Sequence, residues 1–189
     1  LVYQASYITG QWTGELAAFP IVNNAVAATP NWLATQQMPA YGARNIRTRN
    51  TATGLGEAFP TAAQDASLTT GIANYIKGER ANEIAVGGTY RDRINVLGDI
   101  INSSPAYVKD SNTVFIGAND GMLHAFNGTT GAEVFAYIPG IVNIANLKTL
   151  ADDAYDHRYI VDGPVVVSSK KQTPTKNILV GSLGRGGKG

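Results

Sequence analysis

One short phrase occurs twice in this chain. Gly14-Glu15-Leu16-Ala17-Ala18-Phe19 and Gly121-Met122-Leu123-His124-Ala125-Phe126 both read Gly-x-Leu-x-Ala-Phe. Each follows a β-rich run, Leu1 to Ile8 in one case and Thr113 to Ala118 in the other. A third copy starts at Asn177-Ile178-Leu179-Val180-Gly181-Ser182. A repeated β phrase restricts the fold severely. One small meander cannot bury its apolar faces alone, so copies must stack on each other. The irregular spacing of the copies implies insertions between them.

The second copy is the most legible. Ser104 to Val108 reads as a strand, and Thr113 to Ala118 as another. Asn119-Asp120-Gly121 follows, and Asp-Gly supplies the positive φ angles of a tight hairpin turn. Met122 to Phe126 resumes the apolar run. Asn127-Gly128-Thr129-Thr130-Gly131 is a second turn, Glu133 to Ile138 alternates as a strand, and Pro139-Gly140 ends it. Residues 98–140 therefore read as one blade of four short antiparallel strands. The expected fold is all-β with helical insertions, part of a β-propeller built from four-stranded antiparallel blades.

The remaining residues are assigned around that blade. Residues 1–61 read as a first blade plus an insertion over 23–61, with outer strands around Trp32 to Thr35 and Asn45 to Arg49. Residues 62–97 read as a helix and a connection. Thr61-x-x-Gln64 forms a capping box, Leu68, Ile72 and Ile76 share one face of a helix over 62–77, and Gly78 stops it. Residues 141–158 read as a helical insertion carrying Ile144, Leu147, Leu150 and Ala151. Residues 159–189 read as the start of a next blade, with Pro164 kinking the strand between Tyr159 and Ser168. The chain opens inside an apolar alternating run without Met and closes inside a glycine-rich run. It reads as an excerpt too short for a closed propeller, and the missing leader says nothing about location.

Composition closes off several functions. Fifteen Lys+Arg against fourteen Asp+Glu give a net charge of +1, so no field of one sign is available to grip nucleic acid or an anionic membrane. No apolar run reaches the length of a bilayer-spanning helix. The chain has no cysteine, which removes disulfides, thiolate metal sites and cysteine nucleophiles. Charged residues at 15% are sparse, but an apolar fraction of 44% suits a packed core.

Each candidate site has a plainer structural reading. Gly184-Arg185-Gly186-Gly187-Lys188-Gly189 fits a dinucleotide-binding Gly-x-Gly-x-x-Gly, but no βαβ rhythm precedes it, so a glycine turn is the better reading. Asp152, Asp153, Asp156 and His157 are hard-ligand types, yet their spacing lacks the alternation of a calcium loop and fits a solvated helix end. His124 lies within a strand and reads as a packed, hydrogen-bonded histidine, since no Ser/His/Asp set surrounds it in sequence. Arg91-Asp92-Arg93 reads as a structural ion-pair knot or a grip for an acidic partner. Arg44, Arg47 and Arg49 read as one solvated or paired strand face. Asn102-Ser103-Ser104 and Asn127-Gly128-Thr129 are formal glycosylation sequons. No residue is assigned as catalytic, cofactor-binding or metal-ligating.

Several phrases together resemble a known family. They are Arg91-Asp92-Arg93, Leu97-Gly98-Asp99-Ile100, Ser103-Ser104-Pro105, Val114 to Phe126, Tyr159-Ile160-Val161-Asp162-Gly163 and Leu179 to Gly187. Their order is similar to the C-terminal propeller domain of the PilY/PilC family of type IV pilus biogenesis factors and tip-associated adhesins. The resemblance implies a modified quinoprotein-like propeller, exported to the outer membrane surface or the pilus tip, without enzymatic activity. It implies pilus extension, surface adhesion and twitching motility as roles. It also implies pilins or minor pilins and a host-cell or abiotic surface receptor as partners. Members carry a calcium loop of alternating aspartates. No Asp-x-Asp-x-Asn stretch or Arg-Gly-Asp occurs here, so calcium is implied for the full-length protein only. Specificity is expected in the irregular insertions over residues 23–61 and 141–157. The rival reading is a quinone-dependent periplasmic dehydrogenase on the same fold, which needs a cofactor, a calcium ion and an acidic base.

Overall fold

Short strands and turn glycines lead to stacked open sheets. The computed structural model describes residues 1–187. In chain order the strands are β1 (Val2–Ile8), β2 (Thr13–Phe19), β3 (Ile21–Val22), β4 (Ala25–Val26), β5 (Trp32–Leu33), β6 (Ile46–Arg49) and β7 (Gly56–Ala58). They continue as β8 (Ala106–Val108), β9 (Thr113–Ala118), β10 (Met122–Asn127), β11 (Glu133–Ile138), β12 (Val165–Val167) and β13 (Leu179–Gly181). The helices are α1 (Ala34–Gln37), α2 (Ala62–Leu68), α3 (Thr70–Lys77) and α4 (Ile144–Thr149). No helix among the described residues is long and apolar enough to cross a membrane.

The strands form four sheets, ordered β1-β2-β5, β7-β6-β11-β10-β9-β8, β12-β13 and β3-β4. No sheet among the described residues closes on itself. The run β8 to β11 is antiparallel throughout, as its turns require. The second sheet nonetheless has six strands and the first has three, which departs from uniform four-stranded blades. The two extra strands come from the first insertion. β6 pairs in parallel with β11, with Ala136 opposite Ile46 and Ile138 opposite Thr48. Asn45 to Arg49 was expected beside the first blade, so this is a correction. Thr48 and Phe59 are buried there, which makes residues 44–61 part of the second sheet's body.

Alternation places the core between sheets. Val114, Ile116, Ala118 and Phe126 form one face of β9–β10 and pack against Leu16, Ala18 and Trp32 of the first sheet. Phe115, Leu123, Phe135 and Tyr137 face the other way, toward Val167 and Leu179 of the β12–β13 sheet. A second cluster joins Ile138, Leu147, Ile160 and Leu183 with Leu68, Tyr75 and Ile76 of the helices. The second sheet is thus covered on one face by the first sheet and on the other by the β12–β13 pair.

Local expectations are met in detail and missed in two places. The Thr61–Gln64 capping box is present, with both reciprocal bonds, and Gly78 ends α3 in the left-handed region. The expected single helix over 62–77 is instead two, broken at Thr69 with φ 67° and ψ 150°. Leu68, Ile72 and Ile76 still dock on one cluster, so the apolar period survives the break. The Asn119–Gly121 turn needs positive φ at Gly121 alone, 93°. Ala118 pairs with Met122 across it, so it is a three-residue loop and not a two-residue one. A Cβ at Gly121 would also collide with Leu147.

Gly98 ties the turn to the first sheet. Gly14 N–H donates to Leu97 O at 3.0 Å, and Thr13 bridges Gly98. A Cβ on Gly98 would overlap the Asp120 backbone nitrogen. Gly98→Ala is therefore expected to destabilise the fold by about 1–3 kcal/mol through overpacking against backbone, read as a lower urea midpoint with an unchanged slope.

Candidate functional site

The best-defined polar site is a buried chain of alternating charges. Asp120, in the β9–β10 turn, accepts from Gly98 N–H at 3.0 Å and Met122 N–H at 3.1 Å. His124 on β10 reaches back to it, Nε2 lying 3.1 Å from Asp120 Oδ2. The other ring nitrogen, Nδ1, meets Glu133 Oε1 on β11 at 2.8 Å. Glu133 in turn holds Arg44 as a two-pronged pair, Nε to Oε2 at 2.7 Å and Nη2 to Oε1 at 2.8 Å. Arg44 Nη1 donates to Lys77 O at 3.0 Å, at the C-terminal end of α3 where cations are favoured. His124 is 0% exposed and the Arg44 and Glu133 side chains 1% each.

Mutual pairing decides the charge states. Burial alone would push the His124 imidazole down, but the Asp120 and Glu133 carboxylates outweigh it and lift it from 6.5 to about 9. Burial would raise the Glu133 carboxyl, yet hydrogen bonds from Arg44 and His124 win and bring it from 4.5 to about 2. Burial likewise opposes the charged form of Asp120, and the His124 charge and hydrogen bond overcome it, leaving it below its ordinary value. Two anions and two cations therefore alternate in a neutral row. Buried charges of this kind are tolerated because each is paired and hydrogen-bonded.

A second polar knot lies beside the first. Asp99 accepts from His157 Nε2 at 2.8 Å and Asn119 Nδ2 at 2.8 Å. Asn119 Oδ1 accepts from Ile160 N–H at 2.9 Å. The Trp12 ring stacks on His157 with centroids 4.1 Å apart. Trp12, Arg91, Asp99, Asn119 and Tyr155 border a cavity of about 20 Å³, room for about one water and not for an organic cofactor. Further along, Asp162 accepts from Asn102 N–H at 3.1 Å, and Ser103 Oγ accepts from Gly117 N–H at 2.9 Å.

The sequence candidates are distributed as follows. His124 is packed and hydrogen-bonded, as expected. Arg91, Asp92 and Arg93 do not pair with each other. Arg93 Nε binds Glu83 at 2.9 Å, and its guanidinium lies 3.6 Å over the Tyr75 ring. Arg91 lies over Tyr155 at 4.6 Å. Asp92 accepts from Ala85 N–H at 2.8 Å. Of the three, only Arg93 is held in an ion pair, with Glu83 as its anion. Arg47 and Arg49 are exposed, but Arg44 is buried, so the three do not share a face, which corrects that expectation. Asp152, Asp153 and Asp156 are exposed while His157 turns inward to Asp99. Among the described residues, no three His, Asp or Glu side chains converge as metal ligands. Gly184–Gly186 forms a 3-10 turn. Lys188 and Gly189 of that glycine run lie outside the described residues. Asn127 caps its own turn, accepting from Thr129 and Thr130 N–H. Sequence reading missed Glu133, Glu83 and Trp12. Glu133 had one usable signal, its place across the second turn from the His124 strand.

The comparisons with known proteins bear on these same residues. The family model of the PilY1 beta-propeller domain matches residues 80–189, more than half of the chain. The chain belongs to the PilY1 beta-propeller family. A type IV pilus biogenesis factor PilY1 homolog of Xylella fastidiosa is 35% identical over 100% of this chain and 18% of its own length. The type IV pilus biogenesis factor PilY1 of Pseudomonas aeruginosa strain UCBPP-PA14 is 30% identical over 94% of this chain and 18% of its own. The chain thus spans 18% of the length of these curated relatives. No solved structure matches it. Within the matched PilY1-family region, the carboxylates of Asp99, Asp120 and Asp162 all serve as acceptors that fasten one segment to the next.

The pH response follows from the signs of the shifts. His124 is raised, so its contribution is complete below pH 6.5 and fades as pH climbs toward about 9. Glu133 is depressed, so its contribution is complete above pH 4.5 and is lost as pH falls toward about 2. Urea midpoints are expected to be highest between pH 4.5 and 6.5, and His124→Gln is expected to abolish the decline on the alkaline side. Glu133→Leu leaves Arg44 buried and unpaired and is expected to cost about 3–5 kcal/mol, measured by urea unfolding at pH 6.

Proposed function

We propose that this chain is part of the β-propeller of a non-enzymatic type IV pilus biogenesis factor. The observation that carries this reading is the PilY1 family match together with relatives named as such factors across nearly all of the chain. The protein is exported and sits on the outer membrane surface or at the pilus tip. There it supports pilus extension, adhesion and twitching motility, with pilins or minor pilins on one side and a host-cell or abiotic receptor on the other. Residues 98–140 are one blade, residues 1–43 the visible part of the blade before it, and residues 159–187 the beginning of the blade after it. No residue of this chain is assigned to calcium.

The geometry supports a load-bearing platform. Polar side chains of the family phrases, Asp99, Asp120 and Asp162 among them, are spent on holding segments together. Contact surfaces then fall to the loops, which a rigid scaffold displays. The β3–β4 hairpin is one exposed example. Asn23 and Asn24 both have positive φ, 52° and 61°, which gives a tight, twist-matched turn. Ile21, Val22 and Val26 around it are 57%, 54% and 54% exposed. The dehydrogenase alternative has no support from the named relatives, and the polar cavity beside Asp99 holds no more than about one water.

Cells deleted for the gene are expected to lose surface pili and to regain them with the full-length wild-type copy. Retention of pili in the deletion strain overturns the biogenesis role. Complementation with Ile21→Ser, Val22→Ser and Val26→Ser together is expected to restore pilus number while lowering surface attachment several-fold. Attachment at the wild-type level assigns adhesion elsewhere.

A further inference from the structure

Three aromatic side chains gather at one carbonyl where the first sheet meets the second. Gly128 O, in the β10–β11 turn, accepts from Tyr3 Oη on β1 at 3.1 Å and from Trp32 Nε1 on β5 at 3.2 Å. The Tyr107 ring, on β8 of the second sheet, lies beside Tyr3, with centroids 5.3 Å apart and planes inclined by 34°. Tyr107 Oη donates to Asn112 Oδ1 at 3.1 Å. Both phenols are thus fixed by hydrogen bonds, one from each sheet.

Gly128 leaves the space in which they meet. A Cβ there would lie 2.8 Å from Tyr3 Oη and 2.9 Å from Tyr107 Cε2. A hydroxyl and the ring carbon next to a hydroxyl therefore border the same point. That ring carbon is where a phenoxyl radical carries much of its unpaired electron, and where two such radicals join.

Access separates this pair from another. Tyr75 and Tyr90 are nearly as close, at 5.5 Å, but they meet edge-on at 72° and Tyr75 is 1% exposed. Tyr107 is 46% exposed and Tyr3 is half-buried, so an oxidant reaches one ring directly and the second through it. The chain has no cysteine, so a disulfide cannot make a tie between these sheets.

We propose that Tyr3 and Tyr107 form an oxidative cross-linking site, at which a dityrosine bond ties the first sheet to the second. The oxidant is hydrogen peroxide acting through a haem peroxidase. Each phenol gives up one electron and its hydroxyl proton. The two radicals form one carbon–carbon bond between ring positions next to the hydroxyls. Each ring then passes the hydrogen displaced at that carbon to its oxygen, which restores the hydroxyl. Peroxide takes up the two electrons and two protons and leaves as two waters. Tyr3 and Tyr107 are far apart in the chain, so the bond closes a long loop and removes conformational freedom from the unfolded state. The inference goes beyond the pilus role and does not depend on it.

Peptide mapping of the full-length protein, treated with hydrogen peroxide and a haem peroxidase, tests it. The peptides carrying Tyr3 and Tyr107 are expected to appear joined, with the loss of two hydrogens, in material that stays monomeric. Absence of that joined species, or its presence only between molecules, overturns the proposal. Tyr3→Phe and Tyr107→Phe keep the rings in place and are each expected to abolish the species and to lower dityrosine fluorescence several-fold. Fluorescence at the wild-type level in both variants places the coupling at other tyrosines and overturns the site. Treatment of wild-type protein unfolded in urea is expected to lower the yield of the Tyr3–Tyr107 species several-fold. An equal yield means that the fold does not direct the coupling, which also overturns the proposal.

Discussion

The Asp120 carboxylate fixes more of this structure than any other group. It closes its own turn through Met122 N–H, holds the 97–100 segment through Gly98 N–H, and keeps His124 charged. From His124 the constraint passes to Glu133 and Arg44, and from Arg44 to the carbonyl of Lys77 at the end of α3. A turn between two strands is thereby coupled to a helix that is distant in sequence. No member can be removed without leaving an uncompensated charge in the interior. That makes the row a source of definition for the fold, since the chain cannot slide in register without separating the four charges.

The parts of the fold that could be read from sequence are those governed by near neighbours. The β9–β10–β11 meander rests on turns at Gly121 and Gly131, both at positive φ. The α2 start rests on a box three residues wide. The repeat phrase itself marks which strand faces which, because Leu16 and Phe126 meet in one core. The β6–β11 pairing could not be read this way. Its partners lie far apart in the chain, they run parallel, and Ile-Arg-Thr-Arg alternates well enough to suit either sheet. Thr69 escaped for a different reason: both helices dock on the same cluster, so the apolar period gives no sign that the backbone breaks between them.

The polar site was half legible. His124 in a buried strand had to be satisfied, and it is. Which groups satisfy it depends on cross-strand geometry. Glu133 sits opposite Phe126 in the ladder, with His124 on the neighbouring strand one turn of the pleat away. Arg44 looked like a member of a surface stripe because Arg47 and Arg49 follow it. Only the three-dimensional approach of the 40s segment to α3 separates it from them.

The family phrases are rich in Asp, Asn, Gly and Arg, and the carboxylates among them are engaged within the fold. Reactive side chains need an unsatisfied face toward a substrate. Here Asp99, Asp120 and Asp162 each accept from backbone or side-chain donors of another segment, and Arg44 and Arg93 each cap carbonyls of the α3 region while bound to a glutamate. A stack of sheets keeps one arrangement only if its joints hold in more than one direction. Apolar faces hold the sheets against separation, and the directional polar bonds between turns resist shear. The molecule places the first across its broad faces and the second at its turns, so that neither kind of contact alone fixes the arrangement of the sheets.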